Sequence, residues 1–506
     1  MDAPASLSLR LKRALILTHR WLGIPLSLMV VVWFASGIAM IYLGGMPRIA
    51  PQARLDHLPV LDVTQVRLSP AQAAESIGGA DALPGAPLLA MVQGRPAYRF
   101  PDADNAIVFA DDGTLMPPVD QPAAARVAAT FLREPAPGLA FDRVVDRPDQ
   151  WTLSLRGVYP LLKFTAGDTR GTELYVSSVT GEVAQATTRA DRAAAWISTI
   201  PHWLYFSALR LNQPLWYRIV VWLAALACVL TVLGLILGVT QYRRPLPYRG
   251  GMRWHYVAGA IFGVFGLTWA FSGWVSMEPM AWLDTPEIRV DALALSGGEV
   301  ELQAYDNVQA NLPGLVAPRF LKEIAFTRIH GQHFLSLRTS AHADAKSLPL
   351  ERLHAPYDID GRGQDAHVLV NAGTSARRDG LFEEFDILER LSKAQPHRIA
   401  RSQVLYDYDD YYYSRSRQTP LPVLRAELDD PLRSWIYVDM RTSRVVANVH
   451  KYSRVERWLY SGLHSLDFRF WYAKRPWWDA GMLVLLLGGL VGSSLGLYYG
   501  VRRLVT

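Results

Sequence analysis

Residues 19–37 read "HRWLGIPLSLMVVVWFASG", and residues 255–273 read "HYVAGAIFGVFGLTWAFSG". Each stretch opens on a histidine. Each has glycine four residues later, tryptophan fourteen later, and Ser-Gly at seventeen and eighteen. Both are apolar enough and long enough to enter a bilayer, whose ~30 Å hydrocarbon core takes ~20 helical residues. A titratable residue at the mouth of a membrane helix, met twice at fixed offsets, is the pattern that decides the fold.

The rest of the chain follows the same plan. Half of its 506 residues are hydrophobic, and the mean hydropathy is slightly positive. The apolar residues concentrate in four runs, near 21–43, 215–240, 256–278 and 480–499. Two long polar stretches lie between them. The expected fold class is therefore an α-helical membrane protein with four transmembrane helices in two pseudo-symmetric repeats, carrying two α/β outer domains. Because two crossings separate the copies, a pseudo-twofold along the membrane normal is expected to relate them.

Arginine and lysine cluster in the short segments. Arg10, Lys12, Arg13 and Arg20 precede the first run, and Arg243, Arg244, Arg249 and Arg253 join the second to the third. Arg502 and Arg503 close the chain. The positive-inside rule puts these segments in the cytoplasm and the long stretches outside. The first run is too long for a signal-peptide core and is expected to remain as a helix. Expected divisions are 1–43 (N-terminus and first span), 44–195 (first outer domain) and 196–242 (histidine segment and second span). They continue with 243–253 (cytoplasmic loop), 254–283 (third span), 284–455 (second outer domain) and 456–506 (histidine segment, last span and C-terminus). The net charge of +6 is accounted for by these anchors, so no nucleic-acid partner is implied.

A second pair of histidines matches as well. "WISTIPH" ends at His202 and "WLYSGLH" at His464, each followed by proline at twelve residues (Pro214, Pro476) and tryptophan at fourteen (Trp216, Trp478). The orientation pairs His19 with His255 near the cytoplasmic face and His202 with His464 near the outer face. Ionisable residues at membrane depth are costly and are candidates for function. Imidazole is a haem axial ligand, and bundles build cofactor sites from residues on facing helices. The expected metal and cofactor ligands are thus these four histidines, holding two haems. Gly23 and Gly259, one turn along from His19 and His255, leave room for a flat ring, and Arg20 and Arg253 are placed to pair with its propionates. The competing account makes the histidines interfacial anchors or members of an aromatic belt.

Other features carry less. The single cysteine, Cys228, lies in the second run. It excludes a disulfide framework, an Fe–S cluster and covalent haem attachment. "HGQHF" (His330, His333) has two imidazoles but no third metal ligand nearby. "YDYDDYYYSRSR" (406–417) is acidic and tyrosine-rich, suited to a cationic or iron-bearing ligand, although a twisted edge strand with solvated charges explains it too. His57, His342, His354, His367, His397 and His450 form no pattern. Within the outer stretches, "SPAQAAESIGG" (69–79) and "DQPAAARVAATFL" (120–132) predict capped helices. "QWTLSLRG" (150–157), "TELYVSSVTGEVAQ" (172–185) and "RSWIYVDMRTSRVVANV" (433–449) predict strands and hairpins. No HExxH, GxSxG, P-loop or dinucleotide fingerprint is present, which removes the common hydrolase, NTPase and nicotinamide classes.

"HRWLG…SG", "YVSSVTGEV" before "WISTIPH", and "WIYVDMRTSRVV" before "RWLYSGLHSLDF" resemble the PepSY-associated transmembrane proteins of Gram-negative bacteria, which include siderophore reductases. The resemblance spans nearly the whole chain. It implies four membrane helices, PepSY-type periplasmic domains and two b-type haems on histidines. It also implies an inner-membrane oxidoreductase that passes electrons from a quinol or a cytoplasmic reductase to a periplasmic ferric siderophore. The alternatives are a non-redox PepSY binding or regulatory module, and a haem conduit to a periplasmic protein acceptor.

Overall fold

The computed structural model describes residues 3–79, 86–101, 103, 105–132, 138–280, 285–307, 312–314, 320–340, 367–414 and 419–505. They form two compact units. A helical unit takes residues 1–46, 190–285 and 452–506, and a β-rich unit takes 47–189 and 286–451.

In the helical unit, α1 (Ala3–Leu43), α2 (Gln213–Thr240), α3 (Gly250–Val275) and α4 (Trp477–Val505) are each long and apolar enough to span a bilayer. Large apolar side chains such as Leu28, Trp222, Ile261 and Val484 are exposed on them. Lipid is the solvent that makes such a surface stable. α1 packs on α2 and α4, and α3 packs on the same two, so α1 and α3 face each other across the bundle. Glycines set the helix spacing. A Cβ on Gly488 would overlap Phe262, and one on Gly489 would overlap Phe34.

Two short helical segments lead into α2 and α4. Thr199–Trp203 ends on Leu204 at φ 53°, and Leu463–Ser465 ends on Leu466 at φ 48°. The tryptophans fourteen residues beyond each histidine secure these turns. Trp216 Nε1 donates to Trp203 O at 2.9 Å, and Trp478 Nε1 to Ser465 O at 3.1 Å. That contact gives the repeated Trp a physical purpose.

The β-rich unit carries β1 (Leu88–Val92), β2 (Arg95–Phe100), β3 (Ala106–Phe109), β4 (Ala140–Val145), β5 (Leu161–Thr165), β6 (Glu173–Ser177) and β7 (Val183–Thr187) from the first stretch. The second stretch supplies β8 (Phe320–Ile329), β9 (Gln332–Ser340), β10 (His367–Asn371) and β11 (Arg377–Arg378). It continues with β12 (Ile399–Leu405), β13 (Val423–Leu428), β14 (Trp435–Asp439) and β15 (Arg444–Val449). Each stretch closes with a helix (Gln121–Leu132 or Glu384–Ala394) followed by a four-stranded antiparallel meander, β4–β7 or β12–β15.

The two stretches, expected as separate outer domains, meet in one seven-stranded sheet of order β11-β10-β9-β8-β1-β2-β3. β1 and β8 pair antiparallel, with Leu89 opposite Ile324. A buried cluster including Leu89, Tyr98, Phe100, Ile324, Phe326 and Leu337 joins both stretches. Division into two domains therefore gives way to one unit, because each stretch alone would leave a sheet edge unpaired. A buried charge network crosses the same seam. Arg54 pairs with Glu182 at 2.8 Å and with Glu323 at 2.7 Å, and Glu323 is 1% exposed.

Local expectations fared unevenly. Ser69 makes the capping box with Gln72, and Asp120 caps the helix at 121–132. The hairpin turns sit as read, with Ser443 at φ 51° where the first hairpin has Gly181 at φ 66°. "QWTLSLRG" is no strand but a turn, gathered by Asp149, which accepts from Trp151 N and Thr152 Oγ1. The tyrosine-rich segment is no edge strand. Its described part, 406–414, is a loop folded around Asp409, and 415–417 lie outside the described residues. Asp409 accepts from Tyr411 N, Tyr412 N, Arg425 Nη1 and Tyr437 Oη. Tyr408 and Tyr412 donate to the carbonyls of Thr419 and Pro420. These phenols latch a loop and do not converge on a ligand.

Candidate cofactor site

His202 stands on the segment Thr199–Trp203. Its Nδ1 is 3.0 Å from Ser36 Oγ on α1. His464 stands on the segment leading to α4, with Nδ1 2.9 Å from Ser272 Oγ on α3. Ser36 Oγ also lies 2.6 Å from Val32 O, and Ser272 Oγ lies 3.1 Å from Trp269 O. A hydroxyl has one proton. Where it goes to the helix carbonyl, a lone pair is left for the imidazole, and the ring then carries its proton on Nδ1. Nε2 is then an unprotonated lone-pair donor. The two ring centroids are 6.1 Å apart and the planes cross at 81°.

The other pair is fixed in the same tautomer by different acceptors. His19 Nδ1, on α1, meets Leu230 O of α2 at 3.2 Å, and His255 Nδ1, on α3, meets Gly492 O of α4 at 2.8 Å. A carbonyl only accepts, so both rings are protonated on Nδ1. His19 and His255 thus occupy the diagonal helices at matching levels. Seventeen residues, or ~25 Å of helix rise, separate His19 from Ser36 along α1 and His255 from Ser272 along α3. Among the described residues, none of the four Nε2 atoms makes a hydrogen bond.

Each imidazole rests against a glycine of the neighbouring helix. A Cβ on Gly234 would come 3.0 Å from His19 Cε1, and one on Gly496 would come 3.2 Å from His255 Cε1. Gly37 and Gly273 play this part for His202 and His464, at 3.6 and 3.9 Å. Gly23 and Gly259 were expected to serve as the clearance. Gly259 does face open space, whereas Gly23 lies against Leu230. Arg20 and Arg253 are exposed and make no ion pair with a described residue.

Sequence reading recognised the Ser-Gly pairs as a repeat without assigning them a role. It missed Gly234 and Gly496. The signal was available, since each lies 32 residues beyond its histidine, His202 or His464.

Of the other histidines, His330 and His333 sit at the β8–β9 hairpin. His330 turns the β8–β9 hairpin at φ 52° and its Nε2 lies 2.8 Å from Ser443 Oγ. Burial, helped by Arg390, lowers its pKa to about 4, so it stays neutral. His333 accepts from Glu301 N at 3.3 Å. The two diverge and form no metal pair. His342 and His354, and the side chain of His367, lie outside the described residues. Among the described residues, no group of three or more His, Cys, Asp or Glu could hold a metal ion. What the bundle offers is one pair of facing imidazoles, His202 and His464, and a second pair, His19 and His255, on the diagonal helices.

Compared with known families, residues 16–496 match one described as the PepSY-associated TM region. No curated protein matches the chain.

Proposed function

The chain belongs to the PepSY-associated TM region family, and from that premise we propose that it is a membrane electron-transfer protein holding two b-type haems. We read its matching contacts as two copies of one plan. His202 and His464 would hold one haem and His19 and His255 the other, with Arg20 and Arg253 free to meet propionates. Four spanning helices make it a membrane protein. The arginine-rich short loops favour the inner membrane with both termini cytoplasmic and the β-rich unit periplasmic.

One observation carries this reading: the 6.1 Å spacing of the His202 and His464 rings. Two metal–imidazole bonds of ~2 Å, plus about 1.1 Å from each nitrogen to its ring centre, sum to about 6 Å. Both rings hold Nδ1 in a hydrogen bond, the usual support for a metal-bound histidine. The glycine beside each inner ring leaves space that a side chain would crowd. Two axial ligands suffice for haem, whose own nitrogens fill the other positions, so the lack of a three-residue cluster is no obstacle.

Bound haem supplies a one-electron couple. Two levels ~25 Å apart divide a membrane that a single centre cannot bridge. Electrons would enter from a quinol or a cytoplasmic reductase and leave to a periplasmic ferric siderophore. The hard siderophore oxygens hold Fe(II) less well than Fe(III), so reduction frees the iron. The protein is expressed with ample haem, and its visible spectrum is recorded oxidised and dithionite-reduced. A Soret band with a sharp reduced α-band is expected, and reoxidation on adding ferric siderophore identifies the acceptor class. Colourless protein would leave the histidines as structural anchors and favour a non-redox binding module.

A further inference from the structure

We propose that Ser36 and Ser272 are positioning residues that fix the tautomer and ring plane of the outer imidazoles, and thereby set the redox potential of that site separately from the inner one. The proposal rests on the haem reading above.

Both serines are buried, at 2% and 0% exposure. Each bridges a helix carbonyl and an imidazole Nδ1. This is more than tolerance of a polar group. A serine inside a membrane helix is satisfied by its own backbone carbonyl alone. Here the hydroxyl also lies within hydrogen-bond distance of an imidazole Nδ1, once on each diagonal helix. Because α1 and α3 approach from opposite sides, the two hydroxyls hold the rings at 81°. The inner rings have no such serine and lean on Leu230 and Gly492 carbonyls. The two levels therefore share ligand type but differ in the hydroxyl that lies beside Nδ1 at the outer level alone. Hydrogen bonding behind an axial ligand is one of the protein's controls over potential. Withdrawing an acceptor from Nδ1–H makes the imidazole a weaker donor, which disfavours ferric iron and raises the potential.

The test uses the full-length protein with Ser36→Ala and Ser272→Ala, singly and together. In redox titrations the outer couple is expected to move upward by about tenfold in the ferric-to-ferrous preference per serine. That is ~59 mV for a one-electron couple, with the inner couple unmoved. In the ferric EPR spectrum, near-perpendicular imidazole planes give a strongly anisotropic low-spin signal, and the double variant is expected to lose it. Ser→Thr at either position, which keeps the hydroxyl, restores both readouts. Nitrogen NMR of the haem-free protein is expected to show His202 and His464 protonated on Nδ1 in the parent and mixed between tautomers in the double Ala variant. Unchanged outer potential and unchanged tautomer in that variant would overturn the proposal. Failure of the haem reading is a different result, no haem spectrum in the parent, and then the haem-free NMR comparison alone decides the role of the serines.

Discussion

The segments bearing His202 and His464 present their imidazoles alike, yet their surroundings differ. In the first, Trp33 Nε1 donates to His202 O at 3.0 Å. In the second, the matching Trp269 Nε1 is buried with no hydrogen-bond partner among the described residues. The second segment also contains a π-helical turn, Trp458–Gly462, and buries Arg457 and Asp467 side by side. The first segment has Ala195 and Tyr205 at those places. What both keep is the serine behind the ring, the glycine beside it and the tryptophan that ties the turn. What the two segments share is therefore confined to the groups around the imidazole, and the scaffold beyond them differs.

The largest test of that view removes the ligands. His202→Ala and His464→Ala should each abolish the same outer haem and leave the inner one, halving haem per chain by pyridine haemochrome assay. Loss of different haems from the two variants would break the equivalence. Next comes acid. Just before β7, Glu182 faces Arg54 and Arg99, while the matching position, the first of β15, is Arg444. Burial alone would raise the Glu182 pKa, but the arginines hold it at about 2 against an ordinary 4.5. Since the folded value is the lower, its stabilisation is present above pH 4.5 and lost as pH falls toward 2. That is on the order of 3 kcal/mol. Glu182→Gln should flatten this part of the stability profile, read by near-ultraviolet circular dichroism.

Glycine substitutions should separate the inner and outer levels. Gly234→Ala and Gly496→Ala would press a methyl against rings that are pinned to carbonyls. Overpacking costs about 1–3 kcal/mol and outweighs the ~1 kcal/mol that alanine gains over glycine in a helix. Gly37→Ala and Gly273→Ala have ordinary van der Waals room and should be neutral or mildly stabilising. Thermal unfolding in detergent checks both pairs. The smallest effect sharpens the opening contrast. Trp33→Phe should cost about 1 kcal/mol for a lost hydrogen bond, whereas Trp269→Phe, which removes an unpaired donor, should cost nothing measurable.

The membrane half of this molecule was legible because its constraints are local and periodic. Helix length, the histidine offsets and the Ser-Gly pairs all lie within twenty residues of each other. The shared sheet was not legible, because Leu89 finds Ile324 across more than two hundred residues and nothing in either strand names its partner. "QWTLSLRG" misled because its alternation is that of a strand, while Asp149 offers side-chain hydrogen bonds that favour a turn. The tyrosine-rich segment misled through composition. Two of its phenols, Tyr408 and Tyr412, look like ligands until the carbonyls of Thr419 and Pro420 are seen to occupy them.

The β1–β8 pairing has a consequence for any attempt to divide the chain. Cut between α2 and α3, the first fragment would carry β1 as a bare edge and only one imidazole of each opposed pair. The second fragment would carry the complementary edge and the other imidazoles. Neither fragment could fill its own half-sites, and each would be sticky along a strand. Co-expressed, the two should seek each other like the subunits of a dimer, and if the proposed haems bind, the colour of the reassembled membrane would report their reunion.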